Sequence, residues 1–89
     1  MRIEWDENKA VSNVVKHKVS FAEAQTVFDD PLSATVDDPD HSFDEKRFVT
    51  VGITSVGRLI VVSHTLEPEI IRIISARKPT RRERESYEN

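Results

Sequence analysis

The spacing of apolar residues predicts a short strand followed by two helices in the first third of the chain. Arg2 to Trp5 alternates charged and apolar residues, as a half-buried strand does. Asp6 is a suitable N-cap for a helix that runs to about His17, and Ser20 begins a capping box for a second helix within Val19 to Phe28. The apolar positions of the first helix, Ala10, Val11, Val14 and Val15, have helical spacing. In the second helix the buried stripe is predicted to be Phe21, Ala24, Val27 and Phe28.

The rest of the chain reads as four strands and a final helix. β-branched runs predict strands at Leu32 to Val36 and Phe48 to Thr54, with a loop over Asp37 to Asp44 between them. The stretch from Arg58 to Glu88 holds two more strands, with Pro68 in their turn because proline cannot donate to a ladder. Thr80 and Glu83 then form a capping box that starts a helix. The predicted fold is a single α+β domain over residues 1–89: an antiparallel meander, two N-terminal helices on one face and a C-terminal helix.

The turns also predict a register. If they centre on Ser55-Val56 and on Glu67-Pro68, Arg47 pairs with His64, and His64 pairs with Ile71. Arg72 then lies opposite Ser63 on the more polar face, and Arg58 lies opposite Arg77. Like charges directly opposed are destabilising, so an anion should bind between these two arginines, or both side chains should turn into solvent. The face expected to pack on the helices holds Arg47, Val49, Val51, Ile53, Ile60, Val62, Ile71 and Ile73.

Composition changes this picture in one respect, the distribution of charge. The 89 residues include no cysteine and carry a net charge of only −3, which excludes disulfides and thiolate metal sites and fits a reducing cytoplasm. No run is apolar enough for a membrane span. However, seven acids and no Lys or Arg fall between Asp29 and Glu45, whereas six cations and one acid fall between Arg72 and Arg84. This segregation indicates either a charged partner or internal pairing of the two segments.

The titratable residues fit metal-independent chemistry on RNA better than metal or nucleophile chemistry. Three dispersed histidines and an acidic loop without calcium-loop spacing predict no metal site and no cofactor. Cleaving RNA without a metal needs a base, an acid and cations on the phosphate. His64 and Tyr87 could move protons; alternatively, His64 is a core histidine bonded to a carbonyl and Tyr87 packs the last helix.

Several blocks in order resemble the BrnT-type toxins of bacterial toxin–antitoxin pairs. They are WDENKAVSNVVKHKVSFAEAQTVFDDP, DPDHSFDEKRFVTVG, and GRLIVVSH followed by IRIISARKPTRRERESYE. The resemblance implies a fold similar to RelE-type ribonuclease toxins, inhibition of translation by RNA cleavage, and a BrnA-type antitoxin through which the complex binds operator DNA. It is compatible with a dimer of toxin–antitoxin heterodimers. Lys18 departs from the glycine that the family usually has after Lys16-His17.

The resemblance and the residue chemistry together nominate two sets of site residues. The family motifs also include His41 and Glu45, without an assigned role. As an alternative to phosphate binding, Arg72 could be the structural partner of an acid such as Glu45 or Glu69. A non-catalytic module that binds RNA or protein is the alternative function, and the net negative charge counts against a lone DNA-binding regulator. The expected catalytic residues are Arg72, Arg47, His64, Lys46 and Tyr87, and the expected RNA-binding residues are Arg58, Arg77, Lys78 and Arg81.

Overall fold

A computed structural model describes residues 1–41 and 45–88 of the chain, and within these ranges the fold is one sheet with three α-helices. The last three residues of the predicted loop, 42–44, lie outside the described residues. The strands are β1 (Arg2–Trp5), β2 (Ala34–Asp37), β3 (Phe48–Ile53), β4 (Leu59–His64) and β5 (Ile70–Arg77). The helices are α1 (Glu7–His17), α2 (Phe21–Ala24) and α3 (Arg81–Glu88), and 3-10 segments cover Gln25–Asp29 and Pro39–His41.

The sheet has the strand order β1-β5-β4-β3-β2. β2 to β5 form the predicted antiparallel meander. β1 lies beside β5 and runs parallel to it, which the sequence did not predict. α1 and α2 then carry the chain across the sheet, from β1 at one edge to β2 at the other.

The core lies between one face of the sheet and the segment that holds α1 and α2. Val19, Phe21, Ala24 and Val27 are buried against β4 and β5, where Ile60, Val62, Ile73 and Ala76 form the other half of the cluster. Gly52 permits the close approach of the 3-10 segment, because a Cβ there would lie 3.2 Å from Val27 Cβ and 3.1 Å from Ser33 Cβ.

The register of the β3–β4 hairpin differs from the prediction by one residue. Phe48, not Arg47, pairs with His64. The loop is one residue longer than assumed, because Gly57 adopts a left-handed φ of 88° and its N–H bonds to the carbonyl of Thr54 at 2.9 Å. A slip of one residue exchanges the faces of a strand, so Thr50 and Gly52 face the helices, and Val49, Val51 and Ile53 face the other way.

The β4–β5 hairpin is also shifted, although Ile71 and Ile73 keep their predicted face. Glu67 pairs with Ile70, so the turn residues are Pro68 and Glu69. Glu69 has a positive φ of 68°, as the third residue of a type II turn does, and such turns commonly have proline in the second position. His64 therefore pairs with Ile73, two residues beyond the predicted partner. An irregularity between Ser63 and His64 then shifts the ladder once more.

Three of the four apolar positions of α1 do not pack on the sheet. Val11, Val14 and Val15 expose 65%, 45% and 68% of their surface, whereas Ala10 is partly buried against the core. Asn13 is buried instead. Its amide donates to the carbonyls of Val19 and Ala76 and accepts from the N–H of Ala76. These bonds turn α1 so that its valines lie away from the core.

Candidate functional site

Two of the predicted cations, Arg72 and Arg77, lie on the sheet face that points away from α1 and α2. Side chains alternate between the two faces of a strand, and Ile71 and Ile73 of β5 are buried with the helices. Arg72 therefore points to the opposite face. Arg77 does so too, because the ladder shift places it opposite Val61. We call this surface the arginine face.

Arg72 forms an ion pair with Glu45 on the arginine face. Glu45 precedes β3, and β4 separates β3 from β5. The bond therefore requires that the segment before β3 cross the end of β4. Both side chains remain about two-fifths exposed, at 42% and 38%. The predicted pairing of Arg72 with Ser63 is wrong, since Ser63 pairs with Ser75.

The two cations next to Glu45 diverge. Lys46 lies at the far edge of the sheet, where its Nζ is 3.7 Å from a carboxylate oxygen of Asp37 and 5.7 Å from the centre of the Phe48 ring. Arg47 is half-buried, and its carbonyl accepts from the N–H of Asp38 at 2.9 Å. Lys46 thus lies on the side of the sheet that holds Phe48 and His64, whereas Glu45 lies on the arginine face.

Arg77 is joined to α3 by Glu83. The two guanidinium Nη atoms donate to the two carboxylate oxygens at 2.8 and 3.0 Å, and Nη1 also donates to the carbonyl of Lys78. Glu83 accepts from the N–H of Thr80 as well, which completes the predicted capping box. The bonds from Arg77, together with the cap, lower the pKa of Glu83 to about 2. The pKa of Arg77 is raised by the same pair.

The structure does not bring Arg58 and Arg81 to Arg72. Arg58 bonds to Glu23 of α2 at 2.6 and 2.8 Å, which lowers the pKa of that carboxyl group. The predicted opposition of Arg58 and Arg77 is therefore wrong, and neither side chain is unpaired in solvent. Arg81 lies on the exposed surface of α3 with Glu85 one turn away, and Lys78 is exposed just before that helix.

His64 lies in the core, as the alternative to a catalytic role predicted. It is 1% exposed. Its Nδ1 is 2.9 Å from the carbonyl of Thr65 and must donate there, so Nε2 accepts from the hydroxyl of Thr50 at 2.7 Å. Thr50 in turn accepts from Thr35. Burial lowers the pKa of His64, which keeps the ring neutral, and the face that it occupies is opposite to that of Arg72.

Tyr87 holds the end of α3 against the end of the 3-10 segment Gln25–Asp29. Its hydroxyl donates to Asp30 at 2.6 Å, a bond that raises the pKa of the phenol. Asp30 also accepts from the N–H of Ile53, and these contacts lower its pKa, with the Ile53 bond the largest cause. α3 thus leaves a groove of about 220 Å³ on the arginine face, lined by Ala34, Val36, Val49, Val51, Glu83, Ser86 and Tyr87.

In residues 1–41 and 45–88, no three His, Asp or Glu side chains converge as metal ligands. Nor does any helix in these ranges have the length and apolar character to cross a membrane.

The acids that partner Arg58 and Arg77 are the part of the site that sequence analysis missed, whereas the alternative that Arg72 pairs with Glu45 is confirmed. Glu83 was noted only as a capping residue, and Glu23 only as the last residue of the capping box that Ser20 begins. Glu23 and Arg58 are 35 residues apart, and Glu45 and Arg72 are 27 apart. The capping-box spacing located Glu83 at a helix start, but no local pattern indicates pairs between residues this distant.

Comparison with known proteins identifies the family. A family model described as "Ribonuclease toxin, BrnT, of type II toxin-antitoxin system" matches residues 5–83. No curated protein matches the chain. The fold is similar to the crystal structure of the Brucella abortus ribonuclease toxin BrnT, with a TM-score of 0.64 and 23% sequence identity over 91% of this chain and 99% of that one. The chain therefore belongs to the BrnT ribonuclease toxins of type II toxin–antitoxin systems.

Proposed function

We propose that this chain is an endoribonuclease with a RelE-like fold that cleaves RNA without a metal ion, inhibits translation in the cytoplasm and is neutralised by a BrnA-like antitoxin. Family membership supports the general activity. The observation that carries the site assignment is the ion pair of Arg72 with Glu45 on the arginine face. It joins an anion-binding guanidinium to a carboxylate, and both groups are accessible to a substrate.

The two members of this pair suit two different roles in RNA cleavage. The 2′-hydroxyl must lose a proton as it attacks the phosphorus, and the attacked phosphate gains negative charge. A carboxylate can accept the proton, which we assign to Glu45. A guanidinium can bind two phosphate oxygens at once, which we assign to Arg72. RNA phosphate would then replace the carboxylate as the ligand of Arg72.

The leaving 5′-oxygen needs an acid, and Lys46 is the candidate in this segment. Arginine does not give up its proton in proteins, which excludes Arg47 from that step but not from binding phosphate. The Lys46 side chain is 67% exposed, and the distance from its Nζ to the Asp37 carboxylate is long, at 3.7 Å. Its flexible side chain can therefore reorient when RNA binds. The assignment leaves His64 and Tyr87 as structural residues.

Arg77 would bind a second phosphate of the same RNA strand. It follows Arg72 by five residues along β5, so the two Cα atoms are about 16 Å apart at strand spacing. This distance is too long for one phosphate and suits two positions on a bound strand. Lys78 and Arg81, close to Arg77 in sequence, would extend the contact.

Cleavage by the purified protein tests the proposal. RNA is incubated with the wild type in excess EDTA, and we expect cleavage to persist. Arg72→Ala should lower the rate by on the order of 100-fold or more, because one lost contact to the developing charge costs about 3 kcal/mol. Arg72→Lys should recover part of it, since lysine lacks the bidentate fork. Arg84→Ala, which removes an exposed arginine of α3, is the matched control.

Expression in bacteria tests the toxin role. The wild-type chain should stop growth and protein synthesis, and co-expression of the product of the adjacent reading frame should restore both. Activity that disappears in EDTA and returns with magnesium would refute the metal-free mechanism. A folded Arg72→Ala variant that cleaves RNA like the wild type would refute the site. RNA binding without cleavage by the wild type would favour the non-catalytic module.

A further inference from the structure

The exposed valines of α1 are the apolar surface that the described fold leaves unexplained. Val11, Val14 and Val15 lie on neighbouring turns, since residues three and four apart adjoin on a helix. They form one stripe, which we call the valine stripe. Such a stripe is ordinarily buried, yet Asn13 takes the position against the sheet. Contiguous exposed apolar residues of this kind mark interaction sites.

The charges around the valine stripe favour an acidic partner. Lys9 and Lys16 lie beyond Ser12 on one border of the stripe, and Lys18 follows its C-terminal end. In the described ranges, Lys9 and Lys16 have no carboxylate partner, although the arginines Arg58, Arg72 and Arg77 do. The acid at the other end, Glu7, already accepts from the indole N–H of Trp5.

We propose that the valine stripe binds an amphipathic, acidic segment of the antitoxin. The identity of this partner rests on the proposed function, and the chemistry of the segment rests on α1. Aliphatic side chains give a nucleic acid little to recognise, but they fit the apolar face of a helix, and the lysines would pair with acids that flank that face.

A second copy of this chain fits the stripe less well. A stable interface buries about 800 Å² on each partner, contributed by some 20–30 residues, whereas α1 has 11 residues. Two α1 helices alone fall short of that size, and their contact would bring the lysines of both copies together. An antitoxin can continue beyond α1 and add the missing area.

The location of the stripe has a consequence for neutralisation. α1 packs on the sheet face opposite the arginine face, so a segment docked on Val11 and Val15 leaves Arg72 uncovered. The α1 contact would therefore supply affinity, and inhibition would require another part of the antitoxin to reach the arginine face. Substitutions in the stripe should then change antitoxin affinity without changing RNA cleavage.

Titration calorimetry with the purified product of the adjacent reading frame tests this proposal. The test variant is Val11→Lys with Val15→Lys, which adds charge to the stripe and keeps good helix formers in α1. The control is Leu32→Lys with Val56→Lys, two residues outside α1 that are 74% and 69% exposed. We expect the α1 variant to raise the dissociation constant at least about tenfold, or about 1.4 kcal/mol, and the control to leave it nearly unchanged.

Three results would overturn the proposal: equal affinity of wild type and α1 variant, an equal loss in the control, or no binding of the wild type to this product. Sedimentation of the isolated chain is measured in parallel. A wild-type dimer that the α1 variant dissociates, with antitoxin affinity unchanged, would make a second copy the occupant. RNA cleavage is measured separately. If the wild type does not cleave RNA but the α1 variant still binds the antitoxin more weakly than the wild type does, the ribonuclease proposal is refuted and the interface proposal is supported.

Discussion

Replacing Asn13 should destabilise the protein more than replacing any other polar residue of α1. The side chain is 5% exposed and makes three hydrogen bonds to backbone groups, at 2.9, 2.8 and 3.1 Å. Two of them hold Ala76 of β5, and the third holds Val19 after the helix. Asn13→Ala removes all three and leaves one N–H and two carbonyls without their partner in a buried site.

The expected loss follows from the number of bonds. A buried hydrogen bond contributes about 1 kcal/mol net, so Asn13→Ala should lower the free energy of unfolding by about 3 kcal/mol. In a domain of this size that corresponds to a fall in Tm of roughly 12–24 °C. Urea unfolding followed by circular dichroism and by the fluorescence of Trp5 measures the loss.

Asn8→Ala is the matched control for this experiment. Asn8 is exposed in the same helix, so both variants gain the same intrinsic helix propensity, about 0.6 kcal/mol, and only one loses buried bonds. An Asn13→Ala midpoint within error of the Asn8→Ala midpoint would refute the reasoning. It would mean that the orientation of α1, and with it the exposure of the valine stripe, does not depend on Asn13.

Two further predictions concern a strained residue and a buried one. Lys18 ends α1 with φ 60° and ψ 32°, so Lys18→Gly should raise the free energy of unfolding by up to about 1 kcal/mol; an unchanged or lower urea midpoint would contradict this. His64 has its pKa lowered from 6.5 by burial. As the pH falls below 6.5, the unfolded chain binds a proton at this residue before the folded chain does, so stability should decrease. The free energy of unfolding should fall less in His64→Gln than in the wild type as the pH is lowered through 6.5. An equal fall in both proteins would exclude His64 as the source.

Local signals in the sequence predicted the elements well. Asp6 caps α1 through bonds to the N–H groups of Asn8 and Lys9, and Ser20 caps α2. These signals involve residues two or three positions apart, so a single sequence contains them in full. The faces of the strands could not be predicted with the same success. They depend on the conformation of a few turn residues, and the left-handed φ of Gly57 was enough to exchange the two faces of β3.

The orientation of α1 shows another limit of sequence patterns. Helical spacing identified Val11, Val14 and Val15 as one face, and the structure has them on one face. Spacing does not reveal whether a face meets the protein's own core or a partner. The residue that decides this, Asn13, is recognisable only once the backbone groups of Ala76 lie beside it.

The acidic and basic segments of the sequence form ion pairs and hydrogen bonds of two kinds in the fold. Part of the acidic segment pairs internally, since Glu45 bonds to Arg72 and Asp30 accepts from Tyr87. Arg77 instead pairs with Glu83 within its own segment. The arginine face is therefore close to charge balance at rest, and an isolated patch of positive charge is not what would attract RNA.

Charge balance at rest is compatible with phosphate binding if the carboxylates act as replaceable ligands. An exposed ion pair contributes about 0–1 kcal/mol, so freeing Arg72 from Glu45 costs little. In the proposed mechanism, a phosphate would then restore a bidentate contact to the guanidinium, and the freed carboxylate of Glu45 would stay next to the ribose as the base. The bond that holds Arg72 in the free protein would then also position the proton acceptor of the proposed reaction. The pair explains how one fold can be stable with an accessible arginine inside an isoleucine-rich strand and still have that arginine available to a substrate.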